Sequence, residues 1–178
     1  MKSKKLVLSG LFIALGVVLP LPLHLFGSIG GKVLLPMHYP TYFAGFVLGP
    51  TYGFAVGLLT PLISHLVTGM PAMQPPVLPY MAIEMAAYGL VIGFVSRKIN
   101  NIFIPLLTAM VVGRIIMLAA LYLLIPFFKL PVPPLVYFKT GLVTSIPGIV
   151  IQLILVPTFI AILKRRTSLN ERRFTESD

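Results

Sequence analysis

Cysteine is absent from the sequence. That excludes disulfides, a thiolate metal site and a thiol nucleophile. Charge is scarce as well: 10% of the residues are charged, against about 25% in a soluble domain. With 57% of its residues apolar, the chain has a bilayer rather than water as its solvent. No phosphate-binding loop occurs, so the chain does not itself hydrolyse nucleotide. Neither an HExxH zinc helix nor a GxSxG elbow is found. Glu84 is the only acid inside an apolar segment, which rules out a paired-carboxylate mechanism. No cofactor is expected. His24, His38 and His65 show no ligand spacing, so no metal is expected either. An inverted repeat of the kind built into many secondary transporters is also missing.

What charge there is has a plan. The formal net charge of +10 would suit nucleic acid if the cations were spread over one face. Instead Lys2, Lys4 and Lys5 open the chain, and Arg97 and Lys98 sit at an apolar boundary. Lys164, Arg165, Arg166, Arg172 and Arg173 close it. Cations flanking apolar segments follow the positive-inside rule and suit anionic lipid, so the partner is a bilayer and not nucleic acid.

Apolar segments run over about 5–26, 36–49, 51–68, 79–96, 102–126 and 138–163. A spanning helix needs about 20 residues, and the second segment is short. It either joins the third in a helix kinked at Pro50 or stands alone. Both termini are basic and belong on the cytoplasmic side, which requires an even number of crossings. Gly49-Pro50 is also a strong turn signal. Six transmembrane helices are therefore expected, in an all-α membrane bundle over 1–166 with both termini cytoplasmic and a polar tail over 167–178. The first helix follows a basic start, as in a signal peptide. No small-x-small cleavage site precedes a polar domain, so it is read as retained. Lys32 and the proline-rich loops 69–78 and 127–137 then face outward, and such loops suit a preformed lid.

Glycines fall at Gly45, Gly49, Gly53 and Gly57, and Pro61, His65 and Gly69 continue the four-residue step. Residues four apart share a helical face, and missing side chains let another backbone approach. The approaching backbone belongs either to this chain or to a partner subunit. Gly10 and Ala14, with Gly16 nearby, form a similar pair on the first helix.

Ionisable groups inside a membrane are costly and are functional candidates by default. Here they are His38, His65, Glu84 and Arg114, with uncharged Gln152 deep in the last helix. With Tyr39, Tyr80, Tyr88, Tyr122, Lys139, Thr144 and Ser145, most of them converge on the outer half under the six-helix topology, while Arg114 lies near mid-depth and Tyr88 and Gln152 lie deeper. That pattern suggests an outward-opening pocket with aromatic walls and a few polar anchors. Bland readings stand beside it. Glu84 and Arg114 would pair with one another, the histidines would serve as caps or interface residues, Gln152 would bond helix to helix, and the tyrosines would form an aromatic belt.

Several motifs occur in order: Met37-His38-Tyr39-Pro40, Gly49-Pro50-Thr51-Tyr52-Gly53, Thr68-Gly69-Met70-Pro71, and Glu84 through Tyr88-Gly89. Together with the small-xxx-small first helix, the chain resembles the substrate-binding S component of energy-coupling factor (ECF) vitamin transporters. The resemblance implies a protein that binds a water-soluble vitamin or precursor at the outer face, under a lid between the third and fourth helices. It implies association with a membrane scaffold subunit and two cytoplasmic ATPases, and inward delivery by tilting of the whole subunit. Gly10 and Ala14 match the family's scaffold-facing position, with glycine in the first place. The expected substrate-binding residues are His38, His65, Gln74, Tyr80, Glu84, Tyr88, Arg114, Tyr122 and Lys139, with Met73 as an alternative lid contact. Pantothenate would suit an Arg114 anchor; a pyrimidine or pyridoxine would suit Glu84 with tyrosine stacking. Two competing readings remain at this point. One is an intramembrane enzyme acting on a lipid or prenyl substrate through His38, His65 and Glu84. The other is a structural subunit with Glu84 and Arg114 as assembly glue.

Overall fold

The computed structural model describes residues 2–24 and 33–175. The expected outer placement of Lys32 and the end of the polar tail, 176–178, fall outside them. Six helices account for most of the described chain, with no strand among the described residues: α1 (Lys2–Val18), α2 (His38–Leu48), α3 (Pro50–Thr68), α4 (Val77–Lys98), α5 (Phe103–Phe127) and α6 (Pro134–Thr175). A single helical turn, Leu21–His24, follows α1 beyond Pro20. α6 thus continues past the boundary expected at 166.

Local chemistry sets the helix ends. Gly49 terminates α2 at φ +92°, a conformation open to glycine and strained for other residues. Pro50 then opens α3, where its missing N–H costs nothing. The break expected at Gly49-Pro50 is therefore real. Gly69 closes α3 in the left-handed conformation, its N–H donating to His65 O at 2.8 Å. The Asn101 side-chain oxygen accepts from the backbone N–H groups of Phe103 and Ile104 and caps α5.

Five stretches are long and apolar enough to cross a bilayer: Lys2–Leu23, Pro50–Thr68, Val77–Lys98, Phe103–Phe127 and Pro134–Arg165. α2 is not. Its 11 residues reach about 16 Å at 1.5 Å each, roughly half of a 30 Å hydrocarbon core. Its neighbours resolve the shortfall. α2 packs on α1, α3, α4 and α6, and most of its side chains are buried. The stretch before it, Val33–Met37, irregular from Leu35 onward, lies against Gly148 of α6, where a Cβ would strike Val33 O. The Leu35 carbonyl accepts from Gln152 Nε2 at 3.4 Å and from the His38 N–H at 3.1 Å. Irregular backbone at membrane depth is tolerated where protein covers it and supplies its hydrogen bonds.

The glycine steps serve packing within the chain. Gly45 of α2 and Gly53 of α3 both meet the backbone of Gly89, Gly57 meets that of Met85, and Gly93 meets Pro50. Two helices thus bring their missing side chains to one partner, α4. Gly49 and Gly69 belong instead to turns. Large apolar side chains such as Phe103, Leu107, Val111, Ile115 and Leu123 are left on the outer surface of α5, as lipid contact requires. The basic ends share one side: Lys5 lies 5.8 Å over the Tyr52 ring, Lys164 bonds Asn100 at 3.4 Å, and both border one cleft with Arg97.

A methyl group on residue 89 would enter the Gly53 carbonyl. Gly89→Ala should therefore destabilise the bundle by about 1–3 kcal/mol, read as a lowered unfolding temperature in detergent. A Cβ on residue 10 would meet no atom within 4 Å, so Gly10→Ala should be neutral or stabilise by up to about 1 kcal/mol.

Candidate functional site

A cavity of about 550 Å³ opens at the end of the bundle opposite the basic cleft. Small-molecule pockets commonly span about 300–1,000 Å³. Helical spacing brings its walls together. Tyr80 and Glu84, one turn apart, come from α4, and Arg114 and Met117 from α5. Tyr137, Thr140, Gly141 and Thr144 project from a single face of α6. Leu35–His38 closes one side, and Met70, Pro71, Ala72 and Pro75 cover it.

At its polar centre Arg114 Nη1 lies 3.3 Å from Glu84 Oε1, with Glu84 almost wholly buried. Arg114 Nη2 donates to Ser145 Oγ at 3.1 Å, and Nη1 also approaches Met117 Sδ at 3.5 Å. Tyr88 lies beneath and donates its hydroxyl to the same Glu84 oxygen. Gly113 makes the room, because a Cβ there would occupy the Tyr88 ring position. A guanidinium carries five N–H donors, so these contacts leave Arg114 with donors to offer. In a low-dielectric site a lone buried charge is untenable. The pair lets both groups stay ionised while the centre remains neutral.

His38 lines the cavity, its ring centroid 5.6 Å from that of Tyr88 and 6.2 Å from that of Tyr42. Its Nδ1 is buried without a hydrogen-bond partner, as is Thr41 Oγ1. Buried polar atoms in native proteins are nearly always satisfied, so these two stand out at the start of α2. Tyr80 and Tyr137 meet edge to face at 6.1 Å and form an aromatic wall.

The cover is held by local bonds. His65 Nδ1 contacts Pro71 O at 2.9 Å, Thr68 Oγ1 accepts from the Met70 N–H at 3.2 Å, and the Leu78 N–H donates to Ala72 O at 3.0 Å.

Of the residues picked from sequence, His38, Tyr80, Glu84 and Arg114 line the cavity. Tyr88 supports it from below. His65 is placed outside and fastens the cover. Gln74, Met73, Tyr122 and Lys139 are exposed and lie outside the cavity. Gln152 bonds helix to helix, accepting from the Tyr42 hydroxyl at 3.2 Å. Tyr137 was missed because α6 begins at Pro134 rather than 138, so a residue read as loop occupies the first turn of a helix. Its spacing with Thr140, Gly141 and Thr144 was the available signal. Gly10 and Ala14 are exposed on α1. Among the described residues no group of His, Cys, Asp and Glu side chains is arranged to hold a metal.

Removing one member of the buried pair strands the other. Arg114→Met should cost about 3–5 kcal/mol, whereas Arg114→Met with Glu84→Met should recover most of that loss. Thermal unfolding of the two variants in detergent measures the difference.

No curated protein and no solved structure matches the chain. The sequence model of the family described as ECF transporter, substrate-specific component, matches residues 4–160, from α1 into α6. Members of that family are multi-pass cell-membrane subunits that bind a transport substrate and work with a scaffold and ATPase subunits. They are not enzymes, which sets aside the intramembrane-enzyme reading. With a helical bundle, a covered cavity with a polar centre and this match over most of its length, the chain belongs to the substrate-specific components of ECF transporters.

Proposed function

We propose that the cavity captures a water-soluble vitamin or precursor at the outer face, of pantothenate-, pyridoxine- or pyrimidine-like chemistry. The observation that carries this is the neutral Arg114–Glu84 centre, set in an otherwise apolar cavity beneath a proline-rich cover. A lipid tail would need no such centre, and a bare ion would need no aromatic wall. A carboxylate or carbonyl of the substrate takes the place of Met117 Sδ on Arg114 Nη1, exchanging a weak sulfur contact for a charge-assisted bond. Hydroxyl or N–H groups donate to Glu84, and His38 borders the substrate from the start of α2. Tyr80 and Tyr137 pack on the substrate's apolar or ring portion. The segment 70–75 covers it, and His65 keeps that segment in place.

The scaffold meets α1 at Gly10 and Ala14, where small exposed residues admit another helix. The ATPase subunits supply the energy for inward delivery, since this chain has no nucleotide site of its own.

Native mass spectrometry of the gently purified protein, with denaturing release of small molecules, tests the binding role and names the substrate together. A stoichiometric vitamin-like compound is expected. A protein that stays empty and shows no thermal shift across a vitamin panel overturns the proposal. With the substrate in hand, Arg114→Ala should weaken binding by about 10- to 100-fold, the range for losing bonds to a charged group. Tyr122→Phe and Lys139→Gln, outside the cavity, should leave affinity unchanged in the same titration. Gly10→Leu with Ala14→Leu should abolish co-purification with the scaffold and spare substrate binding.

A further inference from the structure

A second hollow, of about 570 Å³, lies at the opposite end of the bundle from the substrate cavity. Three cations border it, each from a different helix: Lys5 of α1, Arg97 of α4 and Lys164 of α6. The positive-inside rule explains why cations sit at this end. It does not explain why three of them surround one hollow while Lys2, Lys4 and Lys98 stay outside it. The buried ion pair, Arg114–Glu84, lies at the other end and engages none of the three. Arg97 lies against Gly49, at a place a side chain would fill, and so sits at the carbonyl end of α2. One cation suffices for that helix terminus; Lys5 and Lys164 are surplus to it.

Apart from Ser96 and Gly49, the rest of the lining is apolar. α1 and α6 each pack on α2 but make no comparable contact with one another. A groove is left between them across the last turn of α2. Phe46 and Val47 border it from α2 and Leu163 from α6, with Val47 and Leu163 each about half exposed. A cationic rim at the membrane surface joined to an apolar groove matches one ligand chemistry: a phosphate headgroup with an attached acyl chain.

We propose that this cleft binds the phosphate of an anionic membrane lipid in the cytoplasmic leaflet. The headgroup sits among Lys5, Arg97 and Lys164, and an acyl chain follows the groove over Val47 toward the bilayer. The site is separate from the substrate cavity and does not depend on what that cavity binds. A bound lipid there completes the surface between α1 and α6.

The test is native mass spectrometry of the full chain released from nanodiscs of equal phosphatidylglycerol and phosphatidylcholine. The wild type should retain one phosphatidylglycerol preferentially. Near a membrane surface each Lys or Arg contributes about fivefold to anionic-lipid affinity. Arg97→Gln or Lys164→Gln alone should thus cut retention about fivefold. The triple variant Lys5→Gln, Arg97→Gln, Lys164→Gln should cut it on the order of a hundredfold. The matched variant Lys2→Gln, Lys4→Gln, Lys98→Gln removes equal charge from the same end and should lose far less of the lipid than the cleft triple variant. Equal loss from the two triple variants would mean diffuse surface attraction and sink the proposal. So would equal retention of the two lipids by the wild type. Displacement of phosphatidylglycerol by inorganic phosphate at equal concentration would assign the cleft to free phosphate and overturn the lipid assignment.

Discussion

The close approach of α3 and α4 at Gly53 and Gly89 is the constraint on which the rest of the bundle depends. In lipid there is little hydrophobic gain in bringing two apolar helices together, so packing must supply the association. Here the backbones themselves touch, because neither crossing residue has a side chain. Gly45 uses the same carbonyl from α2, and Gly93 seats Pro50. α4 is thereby fixed against both short-range neighbours, and its register determines where Glu84 and Arg97 fall. One sits in the outer cavity and the other at the inner cleft.

That fixed register explains how a single carboxylate survives in the core. Glu84 is held by Tyr88 one turn below it and by Arg114 from α5. Tyr88 reaches it only because Gly113, the neighbour of Arg114, leaves space for the ring. Glycine therefore acts twice, first in packing helices and then in admitting the side chain that supports the charge. Two functional groups of opposite sign, each untenable alone, become a neutral centre able to offer a donor and an acceptor to a small polar molecule. The bland reading of Glu84 and Arg114 as a mutual pair and the reading of both as cavity residues describe the same arrangement.

The sequence disclosed the helical bundle, the Gly49-Pro50 break and the four cavity residues His38, Tyr80, Glu84 and Arg114, because each leaves a local mark. Gly-Pro punctuates a helix, and ionisable groups stand out in an apolar run. The expected residues that fall outside the cavity share another cause. Depth along a helix was legible, but rotation about its axis was not. Tyr122 and Lys139 have the right depth and the wrong face; both are exposed. Gln74 belongs to the covering loop, yet Met70, Pro71, Ala72 and Pro75 line the cavity instead, since turn geometry and not sequence position decides which loop residues point inward. The shortness of α2 was visible, but its enclosure by four helices depends on tertiary contacts that no local pattern encodes.

The two ends of α4 present opposite electrostatic solutions to the same solvent. At the outer end the charges cancel within the protein, which leaves a cavity hospitable to a ligand that arrives and departs. A fixed excess charge there would hold one ionic form strongly and impede its release. At the inner end Lys5, Arg97 and Lys164 border a cleft lined by no carboxylate among the described residues, and a polar membrane surface can accept them. A subunit that binds substrate on one side and meets partners on the other benefits from this division. On the proposed reading, the substrate's polar interactions would be independent of the attraction between the basic end and anionic lipid. α2 links the two environments: His38 at its start borders the cavity, Gly49 at its end carries Arg97, and its shortness lets one buried helix touch both.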